Sequence, residues 1–259
     1  MRLLSKMGVA ACLLLLAPQG KVQTLRVAAA ADLQFAMDDL AGRFEGQTGT
    51  KVTMSYGSSG NFRAQIQNGA PFDLFFSADA QYPEQLISAG LAEAHSLTVY
   101  ARGRLVLWAP AGMNLGLAEK GFAALRDSRV GKIAVANPEH APYGRAAIAA
   151  LRKAEIYEEV RSKLVFGESI SQAAQFAQSG SAQVGIIALS LTFAESMKGG
   201  ERWEIPENLY PAIEQAAVVV NASPNKEAAR AFLGYVKSEE GRNVLSNYGF
   251  MLSARSEKP

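Results

Sequence analysis

Strand-length apolar runs alternate with segments of helical spacing along this chain, and that alternation restricts the fold more than any other feature. "LRVAAA" reads as a strand. From Asp32 the period changes, and Leu33, Ala36, Met37, Leu40 and Phe44 recur as one face of a helix. "KVTMSYG" is a second strand and "NFRAQIQNG" a short helix closing on Gly69. "PFDLFFSAD" is a third strand, followed by the helix "YPEQLISAG" with Pro83 in its first turn. Strand then helix, three times over, indicates parallel α/β units.

The order breaks at "LTVYARGRLVLWAP", residues 97 to 110, a long extended run. A second α/β set follows: strand "GKIAVANPE", a helix from Tyr143 to Ala154, strand "KLVFGES", helix "SQAAQFAQSG" and strand "AQVGIIALS". Another extended run, "IEQAAVVVNAS", leads into two helices near 225–237 and 239–247. Two α/β sets joined by two extended runs predict an α/β chain of two lobes. The backbone would cross between them twice, and the first lobe would reclaim the C-terminal helices. The expected division is a leader over 1–23, lobe 1 over 24–100 plus 221–259, and lobe 2 over 101–220. Ligands of open α/β sheets bind beyond the carboxyl ends of the strands, so a cleft between the lobes would gather several such ends.

The leader carries Arg2 and Lys6 ahead of an apolar run, Met7 to Ala17, too short to span a bilayer. That is the pattern of a secretory signal peptide, with cleavage expected between Gly20 and Thr24. The whole chain of 259 residues has a formal charge of +2. Cutting after Gln23 removes Arg2, Lys6 and Lys21 and leaves 23 basic against 24 acidic side chains, net −1. Neither balance is the footprint of a nucleic-acid binder. Cys12 is the only cysteine. "VAAC" loosely resembles a lipoprotein processing site, but the apolar run continues past it as "LLLLA", so Cys12 reads as part of that run. The mature chain would have no disulfide and no cysteine metal site. An exported, soluble protein is expected.

Four strand-to-helix turns have unusual content. In "AAAADLQ", residues 28 to 34, four alanines would let a ligand approach the backbone, and Asp32 falls where a helix N-cap belongs. In "YGSSGN", residues 56 to 61, glycines allow a tight turn, and Ser58 and Ser59 offer hydroxyls and N–H groups at a helix start, where anions bind. Neither serine stands in a G-x-S-x-G elbow, and the turn lacks the lysine of a Walker loop. In "ANPEHAPYGRAA", residues 136 to 147, Tyr143 opens a helix and offers a hydroxyl or an N–H. In "GESISQAA", residues 167 to 174, Ile170 offers only its N–H. Each turn taken singly also has an ordinary reading, as a cap, a tight turn or a packed side chain. Together they offer mostly neutral donors, which suits a fully ionised tetrahedral oxyanion, a species with acceptors and no proton to give.

At "VAAAADLQFAM", "GSSGNFRAQIQNGAPFDLFFSAD", "NPEHAPYG" and "VGIIALS" the chain resembles the periplasmic molybdate- and tungstate-binding proteins of ABC transporters. The resemblance runs over essentially the whole mature chain. It implies a two-lobed periplasmic binding protein fold with the oxyanion in the interlobe cleft. It also implies capture without chemistry, no cofactor, and delivery to a membrane permease. By position it places the oxyanion on Ala31 or Asp32, Ser59 with Ser58, Tyr143 and Ile170. Molybdenum or tungsten would enter only as the bound oxyanion. Relatives with a tyrosine at the turn corresponding to Ala188 have a donor this chain lacks.

Asp32 departs from the serine, threonine or asparagine of those relatives. An ionised carboxylate ~4 Å from a dianion, at an effective dielectric near 20, costs about 4 kcal/mol per unit pair. Three outcomes fit: Asp32 caps its helix and turns away, which is the favoured expectation, is protonated in the complex, or accepts a proton from the ligand. The same fold with phosphate or sulfate is the main alternative. Ferric ion is disfavoured by the scatter of Tyr56, Tyr82, Tyr100 and Tyr143. A distant alternative is an exported hydrolase with Ser59 and His140 in hydrogen-bond contact. The expectation is a periplasmic, monomeric binding protein, not an enzyme.

Overall fold

A computed structural model describes residues 24–252; the leader, its cleavage site and Cys12 lie outside them. The three expected units are β1 (Thr24–Ala30) with α1 (Gln34–Thr48), β2 (Lys51–Gly57) with α2 (Ser59–Gln67), and β3 (Leu74–Ser77) with α3 (Gln81–Ser88). Next come β4 (Thr98–Gly103), β5 (Leu105–Ala109), α4 (Leu117–Lys120), β6 (Ile133–Ala136), α5 (Pro142–Lys153) and α6 (Tyr157–Val160). They are followed by β7 (Leu164–Gly167), α7 (Ile170–Gln178), β8 (Val184–Ala188) and β9 (Glu201–Glu204). β10 (Ile213–Val219), α8 (Lys226–Lys237), α9 (Glu239–Asn247) and β11 (Met251–Leu252) complete the described chain.

These strands form two sheets, one per lobe. The first has the order β11-β4-β10-β3-β1-β2 and the second β7-β6-β8-β5-β9. In the first, β1 runs parallel to β2 and β3 while β10 is antiparallel to β3 and β4. The second repeats the scheme, with β6 parallel to β7 and β8 and with β5 antiparallel to β8. Each parallel set needs helical crossovers, which the β–α alternation supplies.

The chain passes between sheets twice. β4 and β5 lie in different sheets, so the first crossing is at Arg104; the second falls between Glu204 and Ile213. The extended run 97–110 is thus two strands, and the boundaries expected at 100 and 220 both shift. Ala101–Gly103 and all of β10 pair within the first sheet, with Ala217 opposite Phe76 and Ile213 opposite Gly103. Extended character is a local property, whereas the sheet that accepts a strand is a matter of register. β9, a short and largely polar strand, has no apolar run to reveal it.

Central strands buried on both faces read as unbroken apolar runs. Ala216 to Val219, Leu105 to Ala109 and Ile133 to Ala136 are all buried in this way. The C-terminal helices return to the first lobe, as expected. Phe232 of α8 is fully buried, with its ring 5.1 Å from Phe44 of α1 and 6.1 Å from Phe76 of β3, both edge-on. Burying a ring of this size contributes about 1.5–3 kcal/mol, which ties the end of the chain to its beginning.

Candidate functional site

Four parallel strands, two from each lobe, end at one place. β1 stops at Ala30 and a 3-10 turn, Ala31–Leu33, leads into α1. β2 delivers Ser58, the N-cap of α2, whose Oγ accepts from Asn61 N–H at 3.3 Å. β6 leads to α5, with Pro142 preset for its first turn. β7 leads to α7, capped by Ser169, whose Oγ accepts from Gln172 N–H at 3.2 Å. The ends enclose a tight cavity of about 10 Å³, walled by Ala30, Ala31, Asp32, Gly57, Ser58, Ser59, Ala78, Ala141, Pro142, Tyr143 and Ile170. All six residues singled out from the sequence line it, and no lysine or arginine does.

The helix starts leave their first N–H groups without an intrahelical carbonyl, and Ser59, Tyr143 and Ile170 occupy such positions. Ser59 is 1% exposed, and its Oγ accepts from Ala78 N–H at 3.0 Å. That bond occupies a lone pair and leaves the hydroxyl proton to donate. Ser58 is differently engaged: its Oγ lies 2.8 Å from His140 Nδ1 and 3.0 Å from the His140 carbonyl oxygen. Ile170 is buried, as a packing residue at that position should be.

Asp32 does not cap its helix. Ala30 holds the N-cap position, and no side chain bonds there. The 3-10 turn begins one residue earlier than helical spacing suggests, so Asp32 falls inside it. Its side chain, 1% exposed, reaches the second lobe instead. Oδ2 accepts from the Tyr143 hydroxyl at 3.0 Å and from Gln215 Nε2 at 2.7 Å, while Oδ1 is buried with no partner. Burial pushes the Asp32 carboxyl up to about 7, against the lowering effect of the bonds from Tyr143, its own N–H and Gln215. Tyr143 is held well above its ordinary value, first by burial and then by Asp32, so its hydroxyl stays a donor. That hydroxyl is committed to Asp32, which leaves the Tyr143 N–H facing a helix start.

Two residues of this arrangement were not singled out beforehand. Gln215 is fully buried on β10, and the Ser190 hydroxyl donates to the Asp32 carbonyl oxygen at 2.7 Å. The available signal was a polar residue inside an apolar strand run, "IEQAAVVV" for Gln215, and one just past a strand end, "GIIALS" for Ser190.

Around the cavity the lobes are clamped. Gly60 N–H donates to the His140 carbonyl oxygen at 3.0 Å, and His140 Nε2 lies 3.3 Å from Glu168 Oε2. Arg145 pairs with Asp79, donates to the Tyr82 hydroxyl at 3.0 Å and lies 5.5 Å over its ring. The hydrolase alternative required Ser59 on His140. The structure puts Ser58 there instead, and Ser58 Oγ also serves as a helix cap. Among the described residues no group of three or more His, Cys, Asp or Glu is placed to hold a metal ion. No described helix is long and apolar enough to cross a membrane.

Two α/β lobes, two crossings and a donor-lined cavity between helix starts define a solute-binding protein. Residues 25–251 match the family of bacterial extracellular solute-binding proteins, and the chain belongs to it. It is 40% identical over 250 residues, 96% of this chain and 98% of the other, to the molybdate-binding protein ModA of Azotobacter vinelandii. To the ModA of Rhodobacter capsulatus it is 38% identical over 226 residues, 86% of each chain. The solved periplasmic molybdate-binding protein of Azotobacter vinelandii superimposes with a TM-score of 0.83 at 34% identity, covering 89% of this chain and 100% of that one. Membership in a solute-binding family supports a binding protein over the hydrolase.

Proposed function

We propose that this protein captures molybdate or tungstate in the interlobe cavity, outside the cytoplasm, and passes it to the membrane permease of an ABC transporter. The observation that carries the reading is the meeting of four strand ends, two from each lobe, at a small cavity whose wall of small residues carries neutral donors at three helix starts. A dianion there meets the Ser59 hydroxyl and the N–H groups of Ser59, Tyr143 and Ile170, with Ala31 closing the wall without bulk. Ser58 contributes by holding the α2 start against His140. The choice of anion rests on the relatives, which are named for molybdate. Capture ends with release, not reaction. The N-terminal signal pattern and the periplasmic molybdate-binding relative support a periplasmic location, and the reading takes the protein as a monomer.

A second reading has one observation in its favour. Asp32 adds an acceptor to the cavity wall, which suits an oxyanion bearing a proton, such as hydrogenphosphate. Isothermal titration of the anion-free mature protein against molybdate, tungstate, sulfate and phosphate at neutral pH separates the two. Tight binding of the first two is the expected result. Phosphate binding with no heat from molybdate or tungstate would replace the first reading by the second.

A further inference from the structure

An unpartnered carboxylate oxygen is out of place in a cradle built for an anion. Asp32 lines the cavity and is 1% exposed. Oδ2 is held by Tyr143 from α5 and Gln215 from β10, but Oδ1 is buried and meets no donor. The groups acting on the carboxyl are burial, Tyr143, its own N–H and Gln215, none of them cationic. On β4, Tyr100 lies near enough to feel the Asp32 charge, and its buried hydroxyl has no partner. Of the elements packed on the Asp32 turn, α1 and β2 bring Asp38 and Tyr56, which bond each other at 2.6 Å. α7 and the turn after β8 bring no ionisable side chain, only the Ser190 hydroxyl on the Asp32 carbonyl oxygen.

An ionised Asp32 and a tetrahedral dianion both accept and neither donates, so the contact needs a proton from outside. We propose that Asp32 and the bound oxyanion share one proton, so that capture of each anion draws one proton from solvent into the closed site. The inference rests on the oxyanion reading of the cavity. The proton turns Oδ1 from an acceptor into a donor to an anion oxygen. No covalent bond to the anion forms, and the buffer loses the proton the carboxyl gains. Burial already lifts the Asp32 carboxyl to about 7, and a neighbouring anion lifts it further, so uptake near neutral pH is favourable.

The test is calorimetric titration of molybdate into the anion-free protein at pH 6, 7 and 8, in buffers of different ionisation enthalpy, with the wild type and Asp32→Asn. The wild type should show buffer-dependent heats that give an uptake approaching one proton per anion at pH 8. Its Kd should rise about fivefold from pH 7 to pH 8, on the way to a limit of about tenfold per pH unit. Asp32→Asn should lose the buffer dependence and bind more tightly than the wild type at pH 8, because a carboxamide donates without taking up a proton. Buffer-independent heats with a flat Kd in the wild type would overturn the shared proton and leave the oxyanion reading standing. Buffer dependence that survives in Asp32→Asn would assign the proton elsewhere and overturn it too. No binding of molybdate at any pH, nor of tungstate in a parallel titration, would overturn both. Should Asp32→Asn fail to fold, the wild-type buffer series decides alone.

Discussion

Ser59 and Ser58 are adjacent and chemically identical, yet their surroundings give them different work. Ser59 Oγ accepts from Ala78 N–H, which directs its proton elsewhere. Ser58 Oγ is occupied by Asn61 N–H and by His140. Ser59→Ala removes a donor to a charged group and should cost about 1.5–3 kcal/mol of binding, read as a Kd increase of about 10- to 150-fold by titration calorimetry. An unchanged Kd would take Ser59 out of the donor set. The sequence could nominate both serines as helix-start residues; which hydroxyl is free depends on Ala78 and His140, 19 and 82 residues away.

At the scale of elements, closure depends on how near α2 can approach the turn before α5. Gly60 sits in the first turn of α2, and a Cβ there would lie 2.7 Å from the His140 carbonyl oxygen and 2.9 Å from the Tyr82 hydroxyl. Gly103 plays a similar part at the crossing, where a Cβ would lie 1.9 Å from the Tyr143 hydroxyl. Gly60→Ala improves helix propensity by up to about 1 kcal/mol while forcing the lobes apart. The expected result is a Kd weakened at least about tenfold, the effect of about 1.4 kcal/mol, read by titration calorimetry on the folded variant. Wild-type affinity in the variant would mean that this contact is not needed for capture. The glycine-rich turn was plain in the sequence, but its reason was not. Gly60 has an ordinary φ, and what demands glycine is a backbone from the other lobe.

For the whole molecule, Asp32 joins the lobes and charges the fold for doing so. Its carboxyl is raised from 3.8 to about 7 in the folded protein. Between those values the folded state keeps a proton that the unfolded chain releases. The folded state therefore binds more protons, and stability falls as pH rises from about 4 through about 7. At about 1.36 kcal/mol per unit the ceiling is about 4 kcal/mol. The anion-free protein should melt at a lower temperature at pH 8 than at pH 5, and Asp32→Asn should shrink that difference in scanning calorimetry. An equal pH dependence in the variant would place its source outside Asp32.

By itself the sequence determined the α/β alternation, the two lobes, the return of the C-terminal helices and the turns that could carry donors. Each of these is written in local periodicity or in the composition of one turn. The tertiary structure decided which sheet takes β10, which serine is free, and where the Asp32 side chain points. A 3-10 turn displaced Asp32 from the cap, and Tyr143, Gln215 and Ser190, all more than 100 residues away, supplied better partners than its own helix. Local patterns encode which groups are available. Only packing between distant segments decides which of those groups are already bonded and which remain for a ligand.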